Sequence, residues 1–101
     1  MVFQAVTTRE GVPAGQVRVF DVNGRSIALA NVDGTFYAID NVCTHDRGPL
    51  GEGTLAGDQV ECPRHGARFD VKTGQVRALP AVRPVRTYPV QVSGDEVQVD
   101  V

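Results

Sequence analysis

Apolar and polar positions alternate over short stretches along this chain, and no window sustains the three-to-four-residue recurrence of an amphipathic helix. The stretch VRVFDV at 17–22 alternates loosely and ends at Asn23-Gly24, the pair that best tolerates the positive φ angles of a two-residue hairpin turn. Residues 26–31, carrying Ile27 and Leu29, read as a second strand, Asp33-Gly34 as a second turn and TFYAI at 35–39 as a third strand. Together these predict a β-meander. Further on, 59–61 and 67–71 read as short strands, with residues 72–75 turning the chain. Residues 88–92 and 96–101, separated by Ser93-Gly94-Asp95, have the period-two alternation of a hairpin. With 11 Gly and 6 Pro spread at short intervals, the pattern predicts an all-β fold, a small antiparallel barrel or sandwich. No repeat, low-complexity tract or linker divides the 101 residues, so 1–101 is expected to fold as one domain. Residues 42–66 read as two loops joined by a glycine-rich stretch, PLGEGTLAG, polar enough to run over the surface.

Composition narrows the function. The chain is 42% apolar and 22% charged with a formal net charge of -2, which provides no basic field for phosphate or a membrane surface, so nucleic acid and membrane are not expected partners. Trp is absent and aromatics make up 6%, too few for a platform that stacks bases or sugars. The start, MVFQAVTTREGV, lacks a basic region followed by an apolar stretch, and no apolar run approaches the roughly 18 residues of a spanning helix. The expected location is the cytoplasm, and a disulfide between the two cysteines is not expected there.

Both cysteines and both histidines lie between positions 43 and 65, as C-x-H, sixteen residues (46 to 61), then C-x-x-H: Cys43 and His45, then Cys62 and His65. Taken singly, each residue reads as a buried small side chain or a surface imidazole. Taken as a set, with no other Cys or His in the chain, they read as four metal ligands. Two thiolates and two imidazoles suit tetrahedral zinc, yet zinc fingers usually supply a Cys pair from one element and a His pair from another. Here each loop supplies one of each, the distribution needed by a centre with two unlike metal positions. A Rieske cluster is such a centre, because two His replace two Cys on one of its irons.

With those residues in view, the chain resembles the Rieske iron-sulfur family. C-T-H at 43–45 and C-P-R-H-G at 62–66 are similar to its two ligand boxes, and GARFD at 66–70 with the Thr73-Gly74 turn is similar to the family's sequence after the second box. The resemblance implies a Rieske-like fold, a β base with an inserted cluster-binding subdomain at about 42–81. It implies one 2Fe-2S cluster, with Cys43 and Cys62 on the inner iron and His45 and His65 on the outer. It places 78–81 (ALPA), with Leu79 and Pro80, as a loop covering the cluster. Backbone N–H groups around Gly48 and Gly66 are the expected donors to the electron-rich sulfurs.

The two extra cysteines of high-potential respiratory members are absent: Asp46, Arg47 and Gly48 follow the first box, and Arg64 stands within the second. Ala67 replaces the serine whose hydroxyl raises the potential in those members. The expected potential is therefore at the low end of the range of about -150 to +300 mV. A terminal oxygenase would need further histidines for a non-haem iron, and none remain. The resemblance thus implies a monomeric electron carrier and not an enzyme: a soluble Rieske ferredoxin between an NAD(P)H-dependent flavin reductase and a terminal dioxygenase. Arg47 and Arg64 are docking candidates by their adjacency to the ligands. Three other readings stand beside this one: the small subunit of an NAD(P)H nitrite reductase, a structural zinc module for protein contacts, and an enzyme using a Cys nucleophile with a His base.

Overall fold

A computed structural model describes residues 2–44, 48–64, 66–79 and 83–101. Among the described residues eleven strands run in chain order: β1 Phe3–Thr8, β2 Val17–Val22, β3 Arg25–Val32, β4 Thr35–Asp40, β5 Thr54–Ala56, β6 Gln59–Glu61, β7 Arg68–Asp70, β8 Val76–Ala78, β9 Thr87–Tyr88, β10 Val90–Ser93 and β11 Glu96–Asp100. Single 3-10 turns occupy Arg9–Gly11 and Leu50–Glu52. The strands form three antiparallel sheets, ordered β1-β11-β10, β2-β3-β4-β9 and β5-β6-β7-β8.

The meander turns where the sequence places them. Asn23 and Gly24 have φ of 53° and 79°, and Asp33 and Gly34 have 51° and 91°, the left-handed pair that matches the twist of flanking strands. The ladder then pairs Val17 with Ala30 and Phe20 with Ile27, and on the other side Ala30 with Tyr37 and Ile27 with Asp40.

β3 is buried on both faces, as its unbroken apolar run Ile27-Ala28-Leu29-Ala30 requires. Ile27 and Leu29 enter one core with Phe36, Ala38, Val97 and Val99, between the meander and the sheet of β1, β10 and β11. Ala28 and Ala30 enter a second core with Ile39, Leu50, Val60, Phe69 and both cysteines, between the meander and the sheet of β5 to β8. The meander is thus the middle layer of three.

The chain departs from the meander after β4, builds β5 to β8, and returns as β9, where Tyr88 pairs with Ala38 and Thr87 with Ile39. The inserted sheet includes a segment whose polarity predicts a surface loop. Within PLGEGTLAG, Leu50 is fully buried, and Thr54, Leu55 and Ala56 pair with Glu61, Val60 and Gln59. Polarity of the stretch as a whole concealed the one side chain that anchors it. Two further strands also emerge: β1, which pairs with β11 through a bulge between Ala5 and Thr7, and the three-residue β8.

Candidate metal centre

Each cysteine heads a loop closed by its own amide. Cys43 N–H donates to the Gly48 carbonyl at 2.7 Å, and Cys62 N–H donates to the Ala67 carbonyl at 2.7 Å, in both cases five residues ahead. The second loop adds a Gly66 N–H bond to the Cys62 carbonyl at 3.2 Å, with Gly66 at a φ of 76°. Gly66 N–H is thus engaged within the turn. The two loops deliver Cys43 and Cys62, 0% and 2% exposed, into one buried cluster with Leu50, Ala67 and Phe69. No disulfide joins them.

The second loop grows out of a hairpin. β6 and β7 pair Gln59 with Asp70, Val60 with Phe69 and Glu61 with Arg68, so the ladder reaches the residues flanking Cys62 and Ala67. Arg68 Nε and Glu61 Oε1 lie 3.0 Å apart over that last rung; both are half-exposed, so the ion pair fixes register more than it adds stability. Gly53 backs this hairpin so closely that a Cβ would overlap the Glu61 carbonyl oxygen.

The turn after β7 is built on Asp70, which is 5% exposed. Its carboxylate accepts N–H bonds from Lys72 at 2.8 Å and Thr73 at 3.3 Å, and Arg77 Nη2 lies 3.0 Å away. Burial alone would raise the pKa of this carboxyl, but the bonds from Arg77, Lys72 and Thr73 outweigh it, and the pKa is lowered. The carbonyl of Gly74, a residue at a φ of 78°, then accepts an N–H bond from Val85 at 2.8 Å, and a Cβ on Gly74 would overlap the Val85 carbonyl. Thr44 Oγ1 donates to the Arg83 carbonyl at 2.7 Å, so the returning chain is tied to the first loop as well as to the turn of the hairpin.

Of the four residues singled out in the sequence, the structure brings Cys43 and Cys62 together. His45 and His65 lie outside the described residues, as do Asp46, Arg47, Pro80 and Ala81. Arg64 is exposed, and Leu79 is 76% exposed. Sequence reasoning missed Asn41, which links the first loop to β3; a polar side chain between the last strand residue and the first ligand box is the signal that marks it.

The donor set fits an iron-sulfur cluster. The two cysteine sulfurs lie in an apolar, water-excluded cluster, where an isolated thiolate is costly and a bound cationic centre would supply the compensating charge. The chain belongs to the Rieske [2Fe-2S] domain family, which matches residues 2–89, and its cofactor is accordingly a Rieske-type 2Fe-2S cluster. Within that family it is most like electron-transfer subunits, not catalytic ones. It is 42% identical, over 88% of this chain and 86% of the relative, to the ferredoxin component of the naphthalene 1,2-dioxygenase system of Pseudomonas aeruginosa. The ferredoxin of carbazole 1,9a-dioxygenase from Nocardioides aromaticivorans IC177 superposes with a TM-score of 0.93 at 38% identity, covering 98% of this chain and 97% of the other. A ferredoxin solved in complex with the oxygenase of carbazole 1,9a-dioxygenase matches at a TM-score of 0.92 and 35% identity, covering 97% and 92%. A nitrite reductase small subunit shares the fold at 17% identity and a TM-score of 0.84, covering 100% of each chain.

Proposed function

We propose that the chain is the one-electron carrier of a multicomponent aromatic-ring oxygenase, taking electrons from an NAD(P)H-dependent flavin reductase and delivering them to a terminal dioxygenase. Cys43 and Cys62 hold one iron and His45 and His65 the other, within a cluster-binding unit at about 42–81 of a monomeric domain spanning 1–101. The observation that carries this reading is the pair of matching loops, each closed by a cysteine amide, that deliver both thiols to one buried cluster.

When bound, the 2Fe-2S group supplies reversible one-electron chemistry with no bond to substrate. The protein's own part is to hold its ligands and exclude water. Leu50, Val60, Ala67 and Phe69 share the buried cluster of the cysteines, while the exposed Arg64 is a docking candidate and the exposed Leu79 belongs to the segment proposed to cover the cluster. Small, transient electron-transfer contacts of this kind rely on steering by charge. The absence of a hydroxyl at Ala67 keeps the potential at the low end of the Rieske range. The proposed location is the cytoplasm, where thiols persist unoxidised and serve as ligands. No helix among the described residues is long and apolar enough to cross a membrane.

Purified protein should be coloured, with two irons per chain and, once reduced, an electron paramagnetic resonance signal of mean g below 2. His45→Ala or His65→Ala should abolish that signal, and Arg64→Glu should change the salt dependence of electron transfer to the oxygenase. A colourless protein with one zinc per chain would overturn the reading.

A further inference from the structure

The two ligand loops are held at their bases in different ways. The second loop, headed by Cys62, rises from a β-ladder whose last pair is Glu61 with Arg68. Among the described residues no ladder closes the first. Its entry follows β4, and its exit is the 3-10 turn Leu50–Glu52 in place of a strand. Where a backbone rung would stand, a side chain takes its place: Asn41 Oδ1 accepts the N–H of Gly51 at 2.6 Å, spanning the loop from two residues before Cys43 to three residues after Gly48.

Asn41 is in turn fixed on β3. Its N–H donates to the Ser26 carbonyl at 3.0 Å, and its Nδ2 donates to Ser26 Oγ at 3.0 Å. The same residue thus joins the entry of the loop, its exit and the middle layer of the fold. Gly51 is shaped to it. A Cβ there would lie 3.0 Å from Asn41 Oδ1 and 3.5 Å from Ala28 Cβ, and would overlap a methyl of Val19.

We infer that Asn41 is a positioning residue for the metal centre, a side-chain rung that holds the first ligand loop as the β6–β7 ladder holds the second. The inference rests on the reading of Cys43 as a ligand for its consequence at the cluster, but not for the hydrogen bond itself. A carrier benefits because a loop closed at its base keeps its ligand geometry through each change of charge, which limits the reorganisation that slows transfer.

The test compares wild type with Asn41→Leu and Asn41→Asp. Leu keeps the approximate size and loses both bonds, whereas Asp still accepts from Gly51 N–H and takes a bond from the Ser26 hydroxyl. Hydrogen-deuterium exchange of the holoprotein, read by mass spectrometry on the peptide containing Gly51, should accelerate about fivefold to tenfold in Asn41→Leu and return towards wild type in Asn41→Asp. The electron paramagnetic resonance lines of the reduced Leu variant should broaden, and the Asp variant should restore their width. Unchanged exchange at Gly51 in Asn41→Leu would overturn the rung, whether or not a cluster is bound. Faster exchange with an unaltered resonance would overturn its role in positioning the centre. A wild type without the resonance would instead count against the carrier reading, with the exchange result still deciding the rung.

Discussion

Replacing Phe69 with Ala tests whether the sheet of β5 to β8 holds the cysteines in place. Phe69 is fully buried on β7, pairs with Val60 on β6 and Val76 on β8, and shares a core with Cys43, Cys62, Leu50 and Ala67. Truncating a buried Phe removes about 3–5 kcal/mol, the lost transfer energy plus the cavity left behind. That is a large part of a total stability of about 5–15 kcal/mol. The flanking strands have three residues each, so few neighbouring contacts are available to close the gap. With a urea slope of about 2 kcal/mol per M, the unfolding midpoint of the holoprotein, followed by far-ultraviolet circular dichroism, should fall by about 1.5–2.5 M. Bleaching of the visible absorbance by an iron chelator gives an independent reading. If the cysteines are released when this sheet opens, the rate should rise at least a hundredfold or so, since about 1.4 kcal/mol is a factor of ten. Leu79→Ala is the control: Leu79 is 76% exposed, and its loss should change stability by no more than about 0.5 kcal/mol. A midpoint shift for Phe69→Ala as small as that of the control would refute the reasoning.

Three further outcomes are expected from the packing and the site. Ile27→Ala, in the core on the far face of β3, should cost about 2–5 kcal/mol in urea unfolding yet leave the resonance of the reduced cluster unchanged. Asp70→Asn removes a charged acceptor from Lys72, Thr73 and Arg77; because the Arg77 side chain is 44% exposed, the loss should be about 1–2 kcal/mol at pH 7. The pKa of Asp70 is lowered in the fold, so its stabilisation is complete above the ordinary carboxylate range and is lost as pH falls through the folded value; the gap between wild type and variant should close below about pH 4. Ala67→Ser places a hydroxyl in the cluster that holds both cysteines, and a bond about 1–2 kcal/mol stronger in the reduced state should raise the potential by about 45–90 mV in protein-film voltammetry, with no rise counting against the argument.

How much was legible in the sequence depended on the range of the signal. Asn23-Gly24 and Asp33-Gly34 announce their turns because the required φ sign is a property of two adjacent residues. The grouping of Cys43 with Cys62 was legible from residue type and spacing, since few other chemistries need such mixed pairs. β1 was not legible: Phe3 pairs with Asp100 and Thr8 with Glu96, at the far end of the chain, and FQAVTT alone does not announce that pairing. β5 and β8 are three residues long, too short for a period of two to register. Asn41 offers only its polarity just before the first Cys-x-His pair; its meaning depends on Ser26 and Gly51, which become its neighbours only in the fold.

The sizes of the side chains on β3 explain why the inserted sheet and its loops lie where they do. Towards the terminal strands β3 presents Ile27 and Leu29, which fill the space against Val97 and Val99. Towards the core that holds both cysteines it presents Ala28 and Ala30. Small residues on that face let a backbone approach closely, and the 3-10 turn takes the space: a Cβ on Gly51 would be 3.5 Å from Ala28 Cβ, and Leu50 is fully buried beside it. A larger residue at position 28 would push the turn outward and lengthen the bond from Gly51 to Asn41, which closes the first ligand loop. The alternation of large and small along one strand therefore sets two distances at once, the thickness of the terminal core and the depth at which the first cysteine sits.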